Sequence, residues 1–247
     1  MSEVAEREVF ANEILSPVGY RKRLRIAEVT GFLARRGSCY DGGLMAVGRA
    51  VNGWATRIER IRLRDARECA NYADQIYQQT HGAQAHPMRW VSKCWDPSDG
   101  GYRTKSSAFW RVLRSVTIGL GMADEDSRIW PSHLVWSNLY KVSPAEGGNP
   151  SDAFCEAQAS GCAKLLRMEI AAYKPRRVLF LTGSAWAEHF LTEMGARVDN
   201  VQGLRHVERR GSCCLDNGHE VRLVVASHPQ TRPEADWCNE VLHSFGC

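Results

Sequence analysis

The spacing of apolar and polar positions changes character near residue 88. Before that point helical spacing dominates: Trp54, Ile58, Ile61, Ala66, Ala70 and Ile76 recur through a charged stretch, which predicts a long helix over 51–79. Residues 81–87, rich in Gln, His, Gly and Pro, read as a boundary. Beyond it, short apolar runs alternate with helical ones. The runs at 90–94, 133–142, 178–182 and 221–226 predict strands, and the stretches 107–120, 151–173, 184–193 and 234–245 predict helices. Ser151 is placed to cap a helix that carries Phe154, Ala157, Gly161, Leu165, Met168 and Ala172 on one face, and Lys174-Pro175 stops it. The run at 178–182 is apolar without a break, as a strand buried on both faces must be. The alternation predicts an α/β domain over 89–247, built on a four-stranded parallel sheet between helices, with a helical N-terminal extension over 1–88.

Composition narrows the picture only modestly. Among 247 residues, 44% are hydrophobic and 24% charged, the usage of an ordinary globular protein. No apolar run approaches a membrane span, and the acidic start, Met-Ser-Glu-Val-Ala-Glu, does not read as a secretory signal, so a cytoplasmic protein with no membrane partner is expected. Nine cysteines fall without any C-x-x-C pair, which points to reduced, mostly buried thiols and to no metal site. A net charge of +4 says little, but arginines cluster. Arg21, Lys22, Arg23, Arg25, Arg35 and Arg36 form one group, and Arg57, Arg60, Arg62, Arg64 and Arg67 a second. Such clusters suit phosphates, and they equally suit a solvated helix face with intrahelical ion pairs.

Parallel sheets hold their sites at the carboxyl ends of the strands. Read in that way, the first predicted strand leads into Trp95-Asp96-Pro97-Ser98, the second carries Asn138, the third ends in Thr182-Gly183-Ser184, and the fourth in His228-Pro229-Gln230. Singly, Asp-Pro and His-Pro are ordinary turns. An amide inside an apolar strand is harder to explain as structure, because burial leaves it needing several partners.

From about residue 89 to 245 the chain resembles the uracil-DNA glycosylase superfamily, a three-layer α/β/α sandwich. Asp96-Pro97 matches the family's first motif, with Phe109 at the motif's spacing of thirteen residues; Asn138 matches its recognition amide, and His228-Pro229 its last motif. The resemblance implies that Asp96 holds the attacking water and that His228 donates to the departing base. It further implies that Asn138 reads the Watson–Crick edge of a flipped-out base and that Phe109 stacks on it. Gly183, Ser184, Gln230 and Arg232 would contact DNA, with Arg232 at the family's wedge position. No cofactor is implied, and the partner would be double- or single-stranded DNA bound by a monomer.

Three departures shape the expected substrate. Trp95 replaces a glutamine, Gln230 replaces a serine, and Ser98 replaces the tyrosine that excludes a methyl group at pyrimidine C5 in uracil-specific members. Ser98, followed by Asp99, Gly100 and Gly101, would open room for a bulky C5 substituent, as in the glucosylated 5-hydroxymethylcytosine of phage DNA. The expectation is therefore an antiviral glycosylase that leaves an abasic site. Two alternatives stand beside it: a uracil-DNA glycosylase of base-excision repair, and an inactive module that only binds modified DNA.

Overall fold

The computed structural model describes residues 3–22, 24–54, 56–82, 88–98, 101–215 and 218–246. Its strands are β1 (Glu28–Gly31), β2 (Arg35–Arg36), β3 (Leu44–Ala50), β4 (Arg57–Glu59), β5 (Leu134–Tyr140), β6 (Val142–Pro144), β7 (Arg177–Phe180), β8 (Arg197–Asn200), β9 (Val207–Cys214) and β10 (Glu220–Ala226). The helices are α1 (Glu3–Val9), α2 (Ser16–Tyr20), α3 (Ala66–His81), α4 (Arg89–Lys93), α5 (Ala108–Gly119), α6 (Asp152–Tyr173), α7 (Ser184–Glu193) and α8 (Glu234–Phe245). The fold is mixed α/β. Among the described residues no helix is long and apolar enough to cross a membrane.

The chain forms two compact units that interleave along the sequence. One unit takes 1–34, 48–85 and 137–172; the other takes 35–47, 86–136 and 173–247. In the first, β1 lies between β4 and β6, antiparallel to both. A π-helical stretch, Phe10–Leu15, continues α1 into α2 and buries Phe10, Ile14 and Leu15. Gly161 of α6 packs directly on this stretch: a Cβ there would lie 2.3 Å from the Glu13 carbonyl oxygen, so only glycine fits. Asp65 caps α3, its carboxylate accepting the Arg67 N–H at 2.7 Å.

The larger sheet runs β2-β5-β3-β7-β10-β9-β8. Neighbours β3, β7 and β10 are parallel, whereas β9 is antiparallel to β10, β8 to β9, and β2 to β5. The sheet is thus mixed and seven-stranded, larger than the four strands expected from the sequence. In the second unit α7 packs on β10, and α8 on β9 and β10. Val178, Leu179 and Phe180 are wholly buried, as their unbroken apolar run requires.

Three readings of the sequence are corrected. The run at 90–94 is no strand; it lies in the short helix α4 and its turn. The region expected to be a helical extension holds β1, β2, β3 and β4, and β8 and β9 are likewise not among the expected strands. Likewise, the helix expected over 51–79 is confined to α3, preceded by β4 and a 3₁₀ turn at Arg60–Arg64. A run of four or five apolar residues carries no period that separates a buried strand from a helical turn.

Candidate functional site

In the second unit, the ends of β7 and β10 bring several of the expected residues onto one framework. Gly183 adopts φ +79°, a left-handed conformation that lets the chain turn sharply from β7 into α7, and its N–H bonds the Ala226 carbonyl at 2.9 Å. Ser184 opens α7, but its N–H and hydroxyl both meet Glu208, the N–H at 2.6 Å. The expected phosphate contact at Ser184 is thus occupied by a carboxylate of the protein.

At the end of β10 the register slips between Val225 and Ala226. Ser227 follows, then His228, half-buried, and Pro229, buried. The Gln230 N–H donates to His228 Nδ1 at 3.3 Å. In a neutral imidazole this hydrogen bond puts the proton on Nε2 and makes that nitrogen the donor. Thr231 sits at φ +65°, in the left-handed region that a β-branched residue rarely occupies. The turn that holds His228 is therefore strained, and the Arg232 N–H closes it on the Pro229 carbonyl at 3.1 Å. Gln230 and Arg232 are exposed.

Asp96 follows no strand. It follows α4, is exposed, and pairs with Arg103 and, at 3.9 Å, with Lys105. Ser98 is exposed, while Asp99 and Gly100 lie outside the described residues. Phe109, in the first turn of α5, packs edge-on against Trp110 at 5.0 Å and lies 6.5 Å from Trp136. Trp95 meets Trp130 at 5.7 Å, and the Arg114 guanidinium lies 5.9 Å from the Trp95 ring centroid. Both rings thus belong to an aromatic cluster around Trp110.

In the first unit, Asn138 is 2% exposed in β5, and its Nδ2 has no hydrogen-bond partner among the described residues. A buried amide N–H without an acceptor costs about 1–3 kcal/mol, and Asn138 shares that state with other buried polar groups of the described residues, Ser143 among them. Its chain neighbours Ser137 and Lys141 form a fully buried polar cluster with Glu169 of α6.

The arginine groups are largely used by the fold. The Arg60 guanidinium donates to the carbonyls of Val18, Gly19, Arg21, Leu24 and Ile26, and Arg64 Nε to that of Gly19. Arg21 pairs with Glu156, Arg57 with Glu28 and Arg62 with Glu68. Burial pushes the Arg35 guanidinium down to about 10. Arg23 lies outside the described residues. Of the cysteines, Cys69, Cys155, Cys162, Cys213 and Cys238 are buried free thiols, and Cys39 and Cys214 are exposed.

Several residues escaped the sequence reading. The segment after β3, Val51-Asn52-Gly53, had a usable signal: the apolar start of 44–51, closed by Asn-Gly, marks a strand and turn. Asn52 Oδ1 accepts the Gly148 N–H at 2.7 Å, and Trp54 packs edge-on against Phe32. Glu208, His206 and Glu240 carried no signal at all. In comparisons with protein-family models and with curated proteins, nothing matches the chain.

Proposed function

We propose that this protein is a DNA glycosylase, hydrolysing the N-glycosidic bond of a flipped-out modified pyrimidine and leaving an abasic site. The observation that supports the reading is the His228 turn after β10, where the Gln230 N–H at Nδ1 makes Nε2 the donor of the neutral ring. The fold reading that accompanies it takes β5-β3-β7-β10 as the core of a three-layer α/β/α sandwich, extended by β2 on one side and by β9 and β8 on the other.

The chemistry assigns one task to each group. Departure of the base leaves negative charge on the pyrimidine, and the His228 Nε2–H donates to O2 as that charge grows. A water molecule adds at C1′ as the bond to the base breaks, its proton passing to the Asp96 carboxylate and from there through solvent to the departing base anion. Asp96 holds that water and faces the sugar cation, once DNA phosphates draw Arg103 and Lys105 away from it. Trp95 and Phe109 line the base. The exposed hydroxymethyl of Ser98 leaves room at C5, which favours glucosylated 5-hydroxymethylcytosine over uracil. Gly183 and Gln230 contact the DNA, Arg232 stands at the wedge position, and Ser184 contacts the DNA if Glu208 yields to a phosphate.

The test is to incubate the protein with plain, uracil-containing and glucosylated-cytosine DNA and to identify any released base by mass spectrometry. Release of the glucosylated base is expected. Release of uracil alone would assign the protein to repair, and DNA binding with no release from any substrate would make it a binding module.

A further inference from the structure

We infer that Glu240, on α8, is a positioning residue for His228, acting through a closed circuit of hydrogen bonds that fixes where the His228 turn begins. The inference rests on the proposed role of His228 in base departure.

The circuit can be followed bond by bond. The Glu240 carboxylate accepts three consecutive backbone N–H groups, those of Arg205 at 3.0 Å, His206 at 2.7 Å and Val207 at 3.1 Å. The His206 carbonyl accepts the Ser227 N–H at 2.8 Å. The Ser227 carbonyl accepts the indole N–H of Trp237 at 2.9 Å. Trp237 lies three residues before Glu240 on the same helix and is wholly buried, so the circuit closes on a rigid element. Ser227 is thereby gripped at its N–H and at its carbonyl, and His228 is the next residue.

Three features set this apart from routine satisfaction of backbone groups. The sheet register slips between Val225 and Ala226, directly before the gripped residue, and such slips re-aim the side chains that follow. On the far side of His228, Thr231 is held at φ +65°, a strain that relaxes unless the start of the turn is anchored. Third, a carboxylate is a stronger acceptor than a neutral group. Burial by itself would raise the Glu240 carboxyl, but the backbone donors outweigh it and hold it below its ordinary range, so the grip is charged at neutral pH.

The experiment uses the full chain and two variants, Glu240→Gln and Trp237→Phe. Long-range ¹⁵N NMR reads the tautomer of His228, and single-turnover kinetics on an oligonucleotide containing glucosylated 5-hydroxymethylcytosine reads base release. In Glu240→Gln, His228 should change from the Nε2–H form to a mixture of tautomers. The single-turnover rate should fall about tenfold or more, set against the order of a hundredfold that a 1 Å misplacement can cost. Affinity for the same oligonucleotide should stay within about twofold of wild type. Trp237→Phe, which breaks the circuit at its other end, should change the tautomer signature in the same direction. An unchanged His228 signature and rate in a folded Glu240→Gln protein would overturn the proposal. Loss of folded protein in both variants would also overturn it, reducing the circuit to a structural brace. Should wild type release no base while both variants still alter the His228 tautomer, the glycosylase reading fails and the positioning stands.

Discussion

Lys141 holds its ammonium 2.8 and 2.7 Å from the two carboxylate oxygens of Glu169, with both side chains wholly shut off from solvent. Ser137 donates to the same carboxylate at 2.7 Å and the Ala34 N–H at 3.2 Å, so Glu169 is satisfied on both oxygens. Removing two charges from water costs several kcal/mol per ion, which such geometry offsets only while both partners are present.

Lys141→Met leaves Glu169 as a buried, unpaired carboxylate and should lower the unfolding free energy by about 3–5 kcal/mol. The double variant Lys141→Met/Glu169→Leu should recover most of that loss, because an apolar pair needs no compensation. Urea midpoints at neutral pH give both values. A single-variant loss below about 1 kcal/mol, the range of an exposed pair, would refute the buried-pair account.

Glu6, on α1, is 6% exposed, and its carboxyl is raised from 4.5 to about 7. Burial is the main cause; Glu169 and Glu3 reinforce it and Lys141 opposes it. Because the folded value lies above the unfolded one, the neutral acid's stabilisation is complete below about 4.5 and is lost as pH rises through about 7. Glu6→Gln removes that dependence. The variant should match wild type in acid and exceed it by up to about 3 kcal/mol in mild alkali, the shift taken at about 1.4 kcal/mol per unit. Denaturant titrations on either side of neutrality measure the difference, and parallel pH profiles for the two proteins would rule the account out.

Arg60 separates the two readings of the arginine clusters. Its guanidinium is committed to five backbone carbonyls, so Arg60→Ala should cost about 2 kcal/mol of stability and leave the salt slope of DNA binding unchanged. Joint neutralisation of the exposed Arg25 and Arg67, for which the fold shows no such use, should instead flatten that slope by about one unit for each phosphate left without its arginine. A flatter slope in Arg60→Ala, measured by fluorescence anisotropy across salt concentrations, would put Arg60 on the DNA.

Ser98→Tyr should abolish release of a glucosylated base by overlap of the new ring with the sugar, while any activity on uracil persists or rises. Asp96→Asn should keep DNA affinity and lower base release by orders of magnitude, since the carboxylate acts chiefly in the transition state. Single-turnover assays decide both. Release of the bulky base by Ser98→Tyr at the wild-type rate would remove the steric argument, and full activity in Asp96→Asn would leave Asp96 as the counter-ion of Arg103 and Lys105.

Local periodicity sufficed for much of the chain: α5, α6, α7, α8, β5, β7 and β10 fall where the sequence pattern predicts them, within a few residues. Each repeats its apolar positions over enough residues for one period to stand out, or is bounded by clear turn residues. The pattern failed where the run was short. Arg89–Lys93 is a single helical turn and Leu44–Ala50 a strand, and which of the two enters the sheet is set by partners far along the chain; β3 pairs with β7 more than 130 residues away. The candidate site divides in the same way. Residue type and order along the chain single out Asn138 and His228, because an amide in an apolar strand and an imidazole after one are unusual wherever they occur. Only the tertiary structure decides that the Gln230 N–H meets His228 Nδ1, that Glu208 occupies Ser184, that Asp96 lies between two cations, and that Arg60 is spent on carbonyls. Those outcomes depend on which donors and acceptors packing brings within about 3 Å of each other, and that distance is a property of the folded chain.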